Sequence, residues 1–595
     1  MDRTPQKRKV LPLSETVNFT AKPSKIDSAS RRKFLSKVGM ATVAAGVLGK
    51  APSALAETGK VFVSSAGSPS AGSPSSKTRV QQALQLRQNI AAVDAKLPIP
   101  PHTTNGDEQR YTDHSASYSK PLLQDGICLV NQNAWTSFTK ALMSGLNSDY
   151  EAIILGGTRT LNGPQASYAF DLEAPDSSQY GNAPALGDPN SPPLVPPFDQ
   201  VTSAAYGCQL IEMYWASLLR DVAFTDFVSN ATAIAAAAEL TGQSTYRGPR
   251  NSSGQVTPDL LFRGTFVGET IGPYISQFAI TPTNYGQQAV PMQFTTYLPA
   301  IDYMQDTTTF LQVQNGISTG LTNQPDPVVR YLHDFRGLAA LTHIDGLYQE
   351  FLNAQLIMGT LAVPLNPGSP YNGSKTQNGF CTFGGPDFQA CIGEVAARAL
   401  IKVWYQKWLV HLTHRPEWGG GLVNQAIVGT PLQAVPNANV LNSQAVAMAH
   451  SLNPAGTYLL SQAFPEGSPA HPSYPTGHGT AAGACITMLK FFYDGSYVIP
   501  NPMVPSDDGL SLQPYTGGDK GQITVNGELN KLARNVSFGH GVGAGIHWRT
   551  DTDNSMLLGE AVALSVLRDR AFGYHEKFTV NITKLDGTVV TITNE

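Results

Sequence analysis

Six stretches of this chain carry apolar residues at three- and four-residue spacing, and almost none alternates apolar with polar. They are Val201 to Leu219, Asn230 to Leu240, Val328 to Met358, Phe388 to Leu412, Gly479 to Phe492 and Asp551 to Phe572. That period places apolar side chains along one face of a helix, so the core has to form by packing helix on helix. Long Pro-, Gly- and Asn-rich loops separate the stretches, notably Ala174 to Gln200, Thr281 to Ala300 and Val363 to Gly385. The best strand signal lies at the end of the chain. Lys577 to Ile582 and Thr588 to Ile592 flank Asp586-Gly587 and predict a β-hairpin with a tight turn. No internal repeat is present, and the fold class expected is mainly α with a small C-terminal hairpin.

Only 14% of the 595 residues are charged and 41% are hydrophobic, which excludes a disordered chain or a coiled coil. The net charge of −4 is unevenly placed. Residues 1–56 hold 11 Lys+Arg against 3 Asp+Glu, a balance of +8, which leaves −12 for everything after them. An acidic body argues against nucleic acid as a partner. The basic head contains Ser30-Arg31-Arg32-Lys33-Phe34-Leu35, an apolar run from Val38 to Gly49 and the small-residue site Ala54-Leu55-Ala56. These features resemble a twin-arginine export signal over 1–56, with a periplasmic or extracellular destination. The apolar run is shorter than the roughly 18 residues that span a bilayer, so no membrane association is expected once the signal is removed. A flexible linker, Ser/Gly/Pro-rich from Ser64 to Ser76, and an N-terminal segment fill 57–104, with regular structure starting near Arg79. A single catalytic domain follows over 105–595, its hairpin at 576–595. The five cysteines are widely spaced and read as buried thiols.

Seven of the 12 histidines fall between His411 and His547. A uniform scatter would put about three there, so this is where chemistry is sought first. Three segments stand out. In Lys407 to Glu417 the two cations Lys407 and Arg415 are eight apart, close to two helical turns, and converge on one pocket if the helix persists up to Pro416. In His471 to Thr480 a Thr476-Gly477-His478 turn opens an apolar helix, presenting backbone N–H groups, a hydroxyl and an imidazole to an anion. In Gly543 to Asp551, His547 and Asp551 are four apart, so on a helix the carboxylate sets the imidazole tautomer. Each segment alone has an ordinary reading as a helix end, a Pro/Gly turn or a solvated pair. Together they describe a cationic, histidine-bearing cradle for a tetrahedral oxyanion such as phosphate or vanadate.

The order K-x7-R-P, P-[ST]-G-H and H-x3-D is similar to the superfamily that joins type 2 phosphatidic acid phosphatases, bacterial acid phosphatases and vanadium-dependent haloperoxidases. The contexts around Lys407-Trp408 and His471-Pro472-Ser473-Tyr474-Pro475 resemble the algal and cyanobacterial bromoperoxidase branch. So do runs starting at Leu155, Ala169, Tyr214, Leu261, Gly272, Gly346 and Phe383, and the resemblance covers roughly 105–595. It implies a helical-bundle fold of the haloperoxidase/acid phosphatase type, with vanadate as cofactor. It also implies hydrogen peroxide, a halide (bromide first) and a small organic acceptor as reactants, and a homo-oligomer. By the same resemblance His547 is the ligand to vanadium, while Lys407, Arg415, Thr476 and the Gly477 N–H hold the equatorial oxygens. His478 is the acid/base for bound peroxide, and His471 tunes the peroxide or halide side, with Trp408 and His411 as further candidates there.

Two positions depart from the family pattern. Thr476 stands where the family has Ser, which keeps the hydroxyl. An arginine is expected six residues before His547, where this chain has Gly541; matching the flanks instead brings His540 there with one extra residue after it. An arginine is not exchanged conservatively at an oxyanion site, so vanadate affinity is expected to suffer, with Arg534 or Arg549 as spatial substitutes and Gly541→Arg or His540→Arg as gains. Two alternatives stay open at this point: phosphomonoester hydrolysis through a phosphohistidine at His547, and a catalytically weak oxyanion-binding member.

Overall fold

The computed structural model describes residues 76–94, 102–157 and 195–594. The expected signal, nearly all of the Ser64 to Ser76 linker, the run at Ala169 and most of the run at Leu155 lie outside the described residues. The chain divides near Asn89. A helix, α1 (Ser76–Asp94), begins close to Arg79, where regular structure is expected to start, and runs across that position; its described side chains are exposed.

The helices that build the body are α2 (Gln132–Ser144), α3 (Ala204–Leu218), α4 (Ala231–Gly242), α5 (Phe335–His343), α6 (Gln349–Thr360), α7 (Gly385–Tyr405), α8 (Pro416–Val428), α9 (Gly477–Phe492), α10 (Val525–Phe538) and α11 (Arg549–Ala571). Strands occur among the described residues only as two-stranded antiparallel ladders. The terminal hairpin is one of them, Thr579–Thr583 on Val589–Thr593, and it buries Val580, Ile582 and Ile592. The fold is thus mainly helical, as the periodicity implies.

Helix α9 is the axis of the core. Apart from His478, all of its residues are buried, which matches an apolar sequence with no polar face. It packs on α7, α10 and α11. The crossing with α11 is close enough to need glycine on both sides. A Cβ on Gly483 would stand 2.1 Å from the Met556 carbonyl oxygen, and one on Gly559 2.0 Å from that of Thr480. This crossing holds the N-terminal ends of α9 and α11 together, and both ends carry residues of the histidine-rich segments.

Two of the expected helices break. Val328 to Met358 divides into strand Pro325–Arg330, which pairs with Phe294–Tyr297, then α5 and α6. The Asp334 side chain caps α5 by accepting from the Gly337 N–H at 2.7 Å, and an Ile344 to Tyr348 connector separates α5 from α6. The apolar spacing runs on through these breaks, so periodicity alone does not reveal them. Phe388 to Leu412 becomes α7, a π turn over Gln406–His411, and Leu412 in the left-handed region at φ 42°. Pro416 opens α8 instead of ending a helix, which suits a residue without an N–H at a first helical position. Of the cysteines, four are buried as expected and Cys381 is exposed; all five are free thiols.

Candidate active site

Lys407 and Arg415 converge, but from different elements. Lys407 sits in the π turn after α7, and its Nζ donates to the carbonyls of Pro472 and Ser473, both at 2.7 Å. Arg415 is the N-cap residue of α8. Its Nε donates to the His471 carbonyl at 2.9 Å, Nη1 to the Ile546 carbonyl at 2.9 Å, and Nη2 meets His471 Nδ1 at 3.0 Å. The two cations therefore clamp the loop before α9 and tie it to the segment before α11. Both are buried, so these charge-assisted bonds are the ones that set geometry.

The His547–Asp551 pair forms at 2.7 Å between Nδ1 and Oδ2, although His547 lies just outside α11. Trp548 is the N-cap, and Asp551 reaches back to accept its N–H at 3.2 Å. The same Oδ2 accepts from the Ser473 hydroxyl. The pairing is thus a product of helix-start geometry rather than of two residues on one helical face. With Nδ1–H held by Asp551, His547 Nε2 faces inward and lies 2.7 Å from Arg415 Nη1.

Thr476 caps the start of α9 without a side-chain capping bond, and its buried Oγ1 has no partner. The next residue, Gly477, begins the helix and is buried. His478 is the partly exposed imidazole of the group. Its Nε2 lies 3.1 Å from both carboxylate oxygens of Asp345, and its ring packs on His540 with centroids 3.9 Å apart and planes tilted by 30°. His540 is buried, bonded through Nδ1 to the Thr342 hydroxyl at 3.1 Å, with its ring centroid 5.8 Å from that of His547.

A π turn over Gly539–Gly543 follows α10 and accommodates the extra residue seen in the sequence. It decides between the two alignments. A Cβ on Gly541 would stand 2.8 Å from His547 Cβ, so position 541 has no room for an arginine, and His540 is the side chain that enters the cluster. The suggested substitutes are engaged elsewhere: Arg534 pairs with Glu269 and Asp553, and Arg549 with Glu212. Of the residues considered for the halide side, His471 joins the cluster and packs on Trp404 with centroids 4.6 Å apart. Trp408 instead packs on Tyr118 and Phe138, and His411 lies edge-on to Tyr474.

Burial dominates the protonation of the group. It holds His547, His471 and His540 well below the usual imidazole range, helped by the positive charge of Arg415 and Lys407, so these rings keep their lone pairs. Burial, then Arg415, pushes Lys407 well below an ordinary lysine. Asp551 is raised to about 7 by burial, against the hydrogen bond from Ser473 and the charge of Lys407. A buried cluster of neutral imidazoles around Arg415 and Lys407 is primed for an anion.

Sequence reasoning missed Ser473, Trp404, Thr342 and Asp345. Ser473 and Trp404 sit inside or beside the segments that stood out. Thr342 comes from the last turn of α5, and Asp345 arrives because α5 ends where periodicity continues.

The chain is 33% identical over 500 residues to the vanadium-dependent bromoperoxidase of Ascophyllum nodosum, a match spanning 80% of this chain and 86% of the relative. It belongs to the vanadium-dependent bromoperoxidase family. The Corallina officinalis vanadium-dependent bromoperoxidase is 29% identical over 606 residues, 87% of this chain and 99% of its own length. Among solved structures, the homohexameric second vanadate-dependent bromoperoxidase of Ascophyllum nodosum matches with a TM-score of 0.75 and 26% identity, over 94% of this chain and 95% of that one. No protein-family model matches the chain. As a vanadium-dependent bromoperoxidase family member the chain is an enzyme of the peroxidase class, and vanadate is the group its pocket has to fit. The donor set fits it: a neutral imidazole nitrogen free of Asp551, an orphaned buried hydroxyl on Thr476, a helix N-terminus and two cations.

Proposed function

We propose that this chain is a vanadate-dependent haloperoxidase. It uses hydrogen peroxide to oxidise a halide, bromide first, to a hypohalous equivalent that halogenates a small organic acceptor. The observation that carries the reading is one buried cluster in which Arg415 Nη1 lies 2.7 Å from His547 Nε2, the charge of Lys407 acts on the same ring, and Thr476, whose N–H donates to the Asp551 carbonyl at 3.4 Å, keeps an orphaned hydroxyl. When bound, vanadate supplies Lewis-acid activation of peroxide.

His547 is the ligand through Nε2, because Asp551 fixes the tautomer and leaves that lone pair inward. Lys407 and Arg415 neutralise the oxyanion, and an anion in the pocket returns Lys407 to its charged form. Thr476 Oγ1 and the Gly477 N–H bind oxygens at the positive end of α9. His478 takes the proton from peroxide: Asp345 engages its Nε2, which leaves Nδ1 to accept it. His471, packed on Trp404 and bonded to Arg415, borders the halide side. His540 occupies the place of a third cation with a neutral ring, and donates more weakly than an arginine would.

The closing test uses metal-free protein titrated with orthovanadate. Bromination of a phenolic dye with peroxide and bromide is measured beside hydrolysis of an aryl phosphate. Halogenation is expected at saturating vanadate, and its absence there would sink the reading in favour of phosphohistidine hydrolysis or a weak oxyanion binder. Two variants refine it. Asp551→Ala is expected to weaken vanadate by about 10- to 100-fold, the usual cost of removing a partner that orients a metal-binding histidine. His540→Arg is expected to tighten it by about tenfold, the worth of one charge-assisted hydrogen bond, because a guanidinium also stacks on the His478 ring. Calorimetry on the metal-free protein reads both.

The basic head supports export through the twin-arginine route to the periplasm or beyond. No described helix is long and apolar enough to cross a membrane. The hexamer formed by the similar algal protein supports a homo-oligomer here.

A further inference from the structure

A buried carboxyl lies behind the proposed acid/base pair with no role in the mechanism above. Glu350 is the second residue of α6 and only 4% exposed, and neither of its carboxyl oxygens has a hydrogen-bond partner. An ionised carboxylate there would lose its hydration with no donor near it but the residue's own backbone N–H, so the side chain stands as the uncharged acid. Burial pushes this carboxyl well above the ordinary glutamate range, and the negative charge of Asp345 pushes it further.

The surroundings place it against the catalytic machinery. Asp345 lies in the connector between α5 and α6 and holds His478 Nε2 at 3.1 Å from both its oxygens. Helix α6 packs on α9, which carries His478 at its start and Cys485 two turns later on the same face. Cys485 interacts electrostatically with Glu350, and burial keeps that thiol protonated. The titratable groups facing Glu350 are thus Asp345 from the connector and Cys485 from α9, and only Asp345 brings charge.

We propose that Glu350 sets the alkaline limit of the His478–Asp345 pair: as the uncharged acid it leaves a single negative charge behind the imidazole. The proposal rests on the haloperoxidase reading for the role of His478. A second carboxylate charge at this place would hold a proton on His478 more firmly and would oppose an oxyanion in the pocket. Loss of the Glu350 proton on the alkaline side therefore weakens both oxyanion binding and proton transfer. A glutamine or methionine at 350 removes that limit.

The test compares the wild type with Glu350→Gln and Glu350→Met in three measurements. The first is thermal unfolding of metal-free protein against pH. The folded state holds the Glu350 proton more tightly than the unfolded state, so wild-type stability falls as pH rises above the ordinary glutamate range. The advantage of Glu350→Gln over wild type should therefore grow with pH. The second is orthovanadate affinity of the metal-free protein by calorimetry, expected to decline less steeply with pH in both variants, with a gap of about tenfold near pH 9. The third is the pH profile of bromination, whose alkaline limb should move up by about one pH unit. Superimposable affinity and activity profiles in a folded variant would overturn the proposal, as would a variant that loses stability equally at every pH. If wild type brominates nothing at any pH, the haloperoxidase reading falls, while the stability and vanadate measurements still decide the state of Glu350.

Discussion

Changing His547 to alanine is expected to abolish bromination and to weaken orthovanadate binding by about a thousandfold or more, which corresponds to about 4 kcal/mol. Among the described residues, His547 is the imidazole whose outer nitrogen is fixed by a buried carboxylate and whose inner nitrogen faces a guanidinium. The fold should survive. Asp551 keeps the Ser473 hydroxyl and the Trp548 N–H as donors, so its carboxylate is not orphaned, and the loss of one partner costs about 1–3 kcal/mol. Titration of the metal-free variant with orthovanadate, beside dye bromination and a thermal melt, checks all three statements. Retention of vanadate affinity within tenfold would remove His547 from the ligand position.

The second large effect reverses what alignment on spacing alone suggests. Gly541→Arg restores the family spacing, six residues before His547, and on that ground should tighten vanadate. The structure reverses the sign. A Cβ at 541 meets His547 Cβ at 2.8 Å, and the Gly541 carbonyl accepts the N–H groups of Gly545, Ile546 and His547 at 3.1, 2.8 and 3.1 Å. Any side chain there pushes the ligand histidine and the turn that presents it. Overpacking of this kind costs about 1–3 kcal/mol, and the displaced imidazole should lower vanadate affinity by about tenfold or more. Gly541→Ala is expected to show the same direction with a smaller effect, and His540→Arg the opposite one. If Gly541→Arg binds vanadate more tightly than wild type, the π turn has been assigned to the wrong residue.

Much of the site was legible because its residues lie in short segments with strong local signals. Thr476-Gly477-His478 before an apolar run marks a helix N-terminus, and that is where it stands. His547 and Asp551 pair as their spacing implies, through a helix start rather than a helix face. Lys407 and Arg415 meet as expected, yet the helix that was to align them ends between them, in a π turn and a left-handed Leu412.

The sequence by itself determined a mainly helical chain, the start of α9, the terminal hairpin, the histidine-rich segments and the family. All of these follow from contacts between residues a few positions apart, or from motifs short enough to read directly. Only the tertiary structure decided that His540 rather than position 541 enters the cluster, that Arg534 and Arg549 are engaged elsewhere, and that Asp345 backs His478. Those outcomes depend on which surfaces are buried together. An apolar period continues unchanged across the α5–α6 break, while the close crossing of α9 and α11 and the turn packed under His547 are set by space, which one-dimensional spacing does not encode.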